Sequence, residues 1–249
     1  MSRLDRHMSL RRTDFTAAFL RSFAVQGSWN YRTMIGGGLG FALSPLLKRI
    51  HAGDPVALRR AIERHSASFN AHPYMSLVAI GALARLECDG EDPDTFERFR
   101  TALRGPLGAL GDQAVWAGWR PLCVLSAILA FCLGLDPRLA GLWFLLVYNA
   151  GHVGLRLWGF RAGWQAGLEI GTVLNRSILR NLSVWLTPVN EALMGTVLVL
   201  LIYRAPGLHL GPIGAGVATA AALGAFFLPG RGGAAAVVLL FAAIAAWGI

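Results

Sequence analysis

Residues 104–120 read Arg104-Gly105-Pro106-Leu107-Gly108-Ala109-Leu110-Gly111-Asp112-Gln113-Ala114-Val115-Trp116-Ala117-Gly118-Trp119-Arg120. Four glycines and a proline surround one acid, Asp112, and the stretch closes on Trp116 and Trp119. Before it the chain is basic and amphipathic, with only short apolar runs; after it come apolar runs long enough to cross a bilayer. Glycine at this density permits tight bends and close approach of the backbone to another surface. A carboxylate at the edge of apolar sequence is costly unless it is paired or used. The stretch therefore divides two kinds of sequence, 1–115 and 116–249, read as halves of one integrated unit rather than independent domains.

The totals agree with a membrane setting. Apolar residues make up 55% of the 249 and charged residues 15%, against about 25% charged in soluble domains. The net charge of +9 is almost entirely arginine, with Lys48 the only lysine. A nucleic-acid binder would not carry so much uninterrupted apolar sequence, whereas cationic flanks on the cytoplasmic side of a membrane protein account for the excess. Arg3, Asp5, Arg6, Arg11 and Arg12 open the chain with no apolar core behind them, so no cleavable signal peptide is expected and the N-terminus is placed in the cytoplasm. Cys88, Cys123 and Cys132 lack the spacing of a metal site or a disulfide framework. No nucleophile–base motif or dinucleotide fingerprint occurs, and Gly36-Gly37-Gly38-Leu39-Gly40 lacks the lysine of a phosphate loop. Neither catalysis nor a cofactor is expected.

Along the chain, Phe15, Phe19 and Phe23 form a helical stripe that ends at Gln26-Gly27-Ser28-Trp29-Asn30. The uncharged run 35–47, stopping at Pro45, is too short to span and reads as a re-entrant half-segment, as does the run 73–84. Asp54-Pro55 and Asp92-Pro93 each supply an N-cap with proline at the first helical position. The first opens a basic amphipathic helix with Leu58, Ile62 and His65 opposite Arg59, Arg60 and Arg64; His65 is expected at the surface. The second puts Phe96, Phe99 and Leu103 opposite Arg98, Arg100 and Arg104, and Gly105-Pro106 is expected to end it. Spans are then expected on either side of Asp136-Pro137-Arg138, over 183–203 with Glu191 inside, over 208–228 and over 234–249. The fold class that follows is an all-α polytopic membrane protein. Amphipathic interfacial helices and re-entrant half-segments occupy its N-terminal half, and transmembrane helices its C-terminal half.

Broken half-helices mark solute sites in transporters, because free backbone ends and polar side chains face a cavity there. The groups at the breaks are Gln26, Trp29, Asn30, Asn70, His72 and Asp112. Amides donate and accept together, a carboxylate accepts two hydroxyls, and an indole offers a platform to the C–H face of a sugar. These six are the candidate substrate-binding residues for a polyhydroxylated solute. Each has a structural alternative: Asn30, Asn70 and Asp112 as helix caps, the tryptophans as an interfacial belt, and His72 as a satisfied core residue.

Phe19-Leu20-Arg21-Ser22 with Gln26-Gly27-Ser28-Trp29-Asn30, then Phe69-Asn70-Ala71-His72-Pro73-Tyr74, then Gly105-Pro106-Leu107-Gly108-Ala109-Leu110-Gly111-Asp112 occur in one order. A looser match runs through Tyr148-Asn149 to Gly159 and Gly163. Together they resemble the IID component of the mannose/fructose/sorbose family of the bacterial phosphoenolpyruvate-dependent sugar phosphotransferase system. The resemblance implies a non-catalytic, multi-pass inner-membrane permease subunit in a hetero-oligomer with a IIC membrane subunit. Such a pair moves a hexose-type sugar inward for phosphorylation by a cytoplasmic IIB partner, itself charged by IIA. The alternative is a regulatory or scaffold component of an incomplete system. Gln113 after Asp112 and Arg85 inside an apolar run depart from the family pattern.

Overall fold

The computed structural model describes residues 9–204, so the basic residues Arg3 and Arg6 and the expected spans over 208–228 and 234–249 lie outside the described residues. Regular structure among the described residues is helical, apart from two isolated backbone bridges. In chain order the helices are α1 (Arg12–Arg21), α2 (Gly36–Ile50), α3 (Pro55–Ser66), α4 (Ser76–Asp89), α5 (Pro93–Gly111), α6 (Arg120–Cys132), α7 (Pro137–Ala166), α8 (Ile170–Arg176) and α9 (Leu179–Arg204). The described chain forms two compact units, one of residues 9–112 and 152–180 and the other of 113–151 and 181–204.

Two starts follow directly from the sequence. The Asp54 carboxylate accepts the Ala57 N–H at 2.8 Å, and that of Asp92 accepts the N–H groups of Asp94 and Thr95 at 3.1 and 2.9 Å. Each carboxylate satisfies donors that a helix start leaves open, and the proline behind it has no N–H to lose.

Four local expectations fail. Pro45 lies inside α2, which continues to Ile50. Gly105-Pro106 does not end α5, which continues to Gly111 and passes into π-helical turns over Asp112–Trp119 before α6. A proline ring removes one hydrogen bond, and the packing of Leu103, Leu107 and Gly111, all buried on one face, carries the helix past it. His65 is fully buried rather than at the surface, and Arg100 leaves its basic neighbours to donate to the carbonyls of Ala67 and Ser68 at 2.7 and 3.1 Å.

In the first unit α2 packs against α1, α3 and α4. Helix α4 is buried along nearly its whole length, and its uncharged stretch 76–84 is covered on every side. Phe15 of α1 meets Trp164 of α7 edge to face at 4.8 Å between ring centres. In the second unit the Trp143 Nε1–H donates to Ser126 Oγ at 3.1 Å, and Asn190 of α9 donates to the Gly118 carbonyl at 2.9 Å. Glu191, next to that amide, has a buried Oε2 without a hydrogen-bond partner among the described residues.

Two helical paths, Pro93–Cys132 and Pro137–Leu201, are long and apolar enough to cross a membrane. Their most apolar windows are only 33% and 17% buried, whereas the core helix of a soluble protein would be mostly covered. Leu139, Leu142, Leu145 and Leu146 of α7 stand exposed, a surface matched to hydrocarbon rather than water.

Candidate functional site

The loop from Val25 to Ile35 is held by its own amides. Asn30 Oδ1 accepts the N–H groups of Arg32 and Thr33 at 3.0 and 2.9 Å, and its Nδ2 donates to the Ser28 carbonyl and Thr33 Oγ1 at 3.0 and 2.7 Å. Every polar atom of the Asn30 side chain is thus spent on shaping the turn. Met34, at φ +52°, is the one non-glycine residue in the left-handed region among the described residues. Such a conformation is uncommon for a methionine and is tolerated where surrounding contacts fix it. Here the Met34 N–H donates to the Asn30 carbonyl at 2.7 Å, and single backbone bridges link Met34 to both Asn30 and Phe69.

The same bridge sets the second block. The Phe69 N–H donates to the Thr33 carbonyl at 3.2 Å and the Ile35 N–H to the Phe69 carbonyl at 3.1 Å, which sets Asn70 beside the turn that Asn30 shapes. Phe69 is buried and Asn70 is exposed, with no hydrogen bond from its side chain among the described residues.

The third block joins through His72. Gly111 lies so close to the His72 ring that a side chain at 111 has no room, and Asp112 follows at the end of α5, exposed and without a side-chain hydrogen bond among the described residues. His72 is buried; its Nδ1 accepts the Tyr74 N–H at 3.2 Å. Burial, then the positive charge of Arg156, lowers the His72 pKa to about 4, so the ring is neutral at physiological pH.

Arg156 of α7 ties the blocks together. Its Nε–H donates to His152 Nε2 at 2.6 Å, and its Nη1 donates to the carbonyl and hydroxyl of Ser22 at 3.0 and 3.1 Å. The guanidinium also lies over Phe23 at 4.8 Å and Tyr74 at 5.2 Å, while Tyr74 stacks on the His152 ring at 3.8 Å. A buried arginine thus fixes the residues just before Gln26 and just after His72 against one helix. Gln26 is exposed on this loop, as are Trp29 and Tyr31, whose rings meet edge to face at 4.9 Å.

Of the six candidate residues, the structure therefore presents Gln26, Trp29, Asn70 and Asp112 with exposed side chains, commits Asn30 to its turn and buries His72 beneath. Sequence reasoning missed Ser22, Tyr74 and Arg156 as the framework. A charge inside an apolar helix was the available signal for Arg156, because such a residue needs polar partners.

A second buried polar cluster was also missed. Glu87 of α4 lies within hydrogen-bond distance of His51 at 3.0 Å and His65 at 2.9 Å, and it pairs with Arg64. Burial alone would push the carboxyl up, but the hydrogen bonds with His51 and His65 and the charge of Arg64 hold it well below the usual carboxylate range.

Helices long and apolar enough to cross a membrane, with their apolar side chains exposed, define a membrane component. The sequence model of the PTS system mannose/fructose/sorbose family IID component matches residues 9–203, and the chain belongs to that family. It is 28% identical over 193 residues to the mannose-specific EIID component of Escherichia coli (strain K12), covering 76% of this chain and 68% of that one. It is 28% identical over 173 residues to the fructose permease IID component of Bacillus subtilis (strain 168), covering 67% and 62%. A solved structure described as a membrane protein superposes with a TM-score of 0.67 at 28% identity, over 76% of this chain and 70% of that one. A cryo-EM structure of the mannose transporter ManYZ with microcin E492 superposes with a TM-score of 0.59 over 94% and 88%; at 23% identity it speaks to the fold alone.

Proposed function

We propose that the exposed side chains of Gln26, Trp29, Asn70 and Asp112 form the IID wall of a sugar site that is completed by a IIC subunit. Asn70 offers donor and acceptor to adjacent hydroxyls, Asp112 accepts from two, and Trp29 supplies the apolar platform. Asn30 and His72 serve the same site from behind, one shaping the turn and the other seating Gly111. The observation that carries this reading is the exposed, uncommitted state of Asn70 and Asp112, the first beside the turn that Asn30 shapes and the second beside the Gly111–His72 contact. A face of this kind, exposed on a membrane subunit, needs a cover before a sugar can exchange its water for protein hydrogen bonds.

On this reading the chain is a non-catalytic subunit of the inner membrane with its N-terminus in the cytoplasm, and its halves 1–115 and 116–249 work as one unit. It passes a hexose-type sugar to a IIB partner, charged by IIA, for phosphorylation. The family assignment and the relatives named for mannose and fructose support the substrate class.

With the partner subunits reconstituted, Asn70→Ala and Asp112→Ala are each expected to lower sugar uptake by about tenfold or more while the complex still assembles, since each leaves hydroxyls without partners. Normal uptake in both variants would overturn the assignment. Assembly without uptake in the unsubstituted complex would favour the regulatory alternative.

A further inference from the structure

A groove in the first unit lies apart from the sugar face. It is walled by Phe15 and Phe19 of α1 and by Leu157, Phe160 and Trp164 of α7, and it encloses about 530 Å³. Phe15 lies 5.9 Å from Phe160 and 4.8 Å from Trp164 between ring centres, so the wall is continuous aromatic surface. Its polar edge carries Arg12, Thr16 and Arg161, all exposed. The Thr16 hydroxyl is engaged with the Arg12 carbonyl at 3.0 Å, whereas neither guanidinium has an acidic partner among the described residues. By contrast, Arg49, Arg64 and Arg85 of the same unit all pair with carboxylates.

A sugar does not fit this lining, because aromatic and aliphatic walls leave its hydroxyls unbonded. A ligand with a long apolar part and one anionic end fits both features at once. Leu157, Phe160 and Trp164 lie on α7, within the helical path Pro137–Leu201 that contains a window apolar enough to cross a membrane, the setting in which acyl chains are available. Two guanidiniums at its edge that have no carboxylate partner among the described residues match a phosphate, which each can hold through paired N–H donors. We propose that this groove binds one anionic phospholipid, with an acyl chain laid along the continuous aromatic wall of Phe15, Phe19, Phe160 and Trp164 and the headgroup phosphate held by Arg12 and Arg161.

The test is native mass spectrometry of the full chain in mild detergent, with phosphatidylglycerol or phosphatidylcholine added. The unsubstituted protein is expected to retain phosphatidylglycerol roughly tenfold better, as two cationic side chains near an anionic headgroup would give. Arg12→Gln with Arg161→Gln should reduce that retention to the phosphatidylcholine level. Thr16→Trp, which fills the groove and keeps both arginines, should weaken retention of both lipids. Arg59→Gln with Arg60→Gln, on the exposed face of α3, should change nothing. Equal retention of the two lipids by the unsubstituted protein would overturn the proposal, as would unchanged retention in the double variant. Displacement of the lipid by millimolar inorganic phosphate would also overturn it, because the site would then be one for free anions. Sugar uptake does not enter the readout, so the outcome is separate from that of the sugar-site substitutions.

Discussion

Replacing Glu87 by alanine is expected to destabilise the purified chain by about 3–5 kcal/mol, the range seen when one partner of a buried charge pair is removed. Glu87 is 6% exposed and receives His51, His65 and Arg64 together. Without the carboxylate, the Arg64 cation keeps only its position over the Phe96 ring at 4.6 Å, and the fully buried His65 loses the partner of its Nε2. The carboxyl is held below its unfolded value of 4.5, so folding gains from the ionised form. That gain is complete above the unfolded value and is lost as the pH falls below it. The difference in thermal midpoint between the unsubstituted and Glu87→Ala proteins should therefore be widest near neutrality and should narrow in acid. Glu63→Ala, which removes the exposed pair of Arg59 and Glu63, should leave the midpoint nearly unchanged. An unchanged midpoint in Glu87→Ala would show that the cluster contributes nothing net.

Gly38→Ala is expected to cost about 3 kcal/mol or more and to reduce uptake with it, because it forces apart two stretches of backbone. A Cβ on Gly38 would come within 2.5 Å of the Val25 carbonyl carbon and 2.6 Å of its Cα. Neither atom can swing aside as a side-chain end could, and Val25 is buried immediately before the Gln26–Asn30 loop. Gly37→Ala, one residue earlier, would meet the Ser28 hydroxyl at 2.7 Å, a group that can rotate, and should cost far less. Gly105→Ala has open space around it and sits within α5, so it should be neutral or slightly stabilising. Equal midpoints for the variants at 37, 38 and 105 would contradict the close approach.

The sequence carried the parts of the fold that local chemistry decides. Asp54-Pro55 and Asp92-Pro93 start helices because a carboxylate and a proline act on their own first turn, whatever the surroundings. The order of the motif blocks was equally legible, and the structure joins them through the Met34–Phe69 bridge and the Gly111–His72 contact. Helix ends at Pro45 and Pro106 were misread because tertiary packing outweighs the loss of one backbone hydrogen bond. His65 and Arg100 were misread for a related reason. Their helices show a polar face, but which part of that face is covered depends on distant residues, Glu87 for one and the Ala67–Ser68 carbonyls for the other. The π-helical turns at Asp112–Trp119 have no period that a helical pattern would reveal, although such turns recur at functional sites. The role of Arg156 required knowing that a residue 134 positions earlier, Ser22, would lie beside it.

The central claim is that the face presenting Asn70 becomes a covered sugar site on assembly. Cys88, Cys123 and Cys132 are all buried, so one engineered thiol can report on this face against a low background. Ser68→Cys is close to isosteric, exposed and two residues from Asn70 in an extended stretch, where alternate side chains share a side. Its rate of modification by a polar maleimide should be high in the isolated chain, lower in the complex with a IIC subunit, and lower again when the transported sugar saturates that complex. A rate that is the same in the isolated chain, the complex and the sugar-loaded complex would contradict the account.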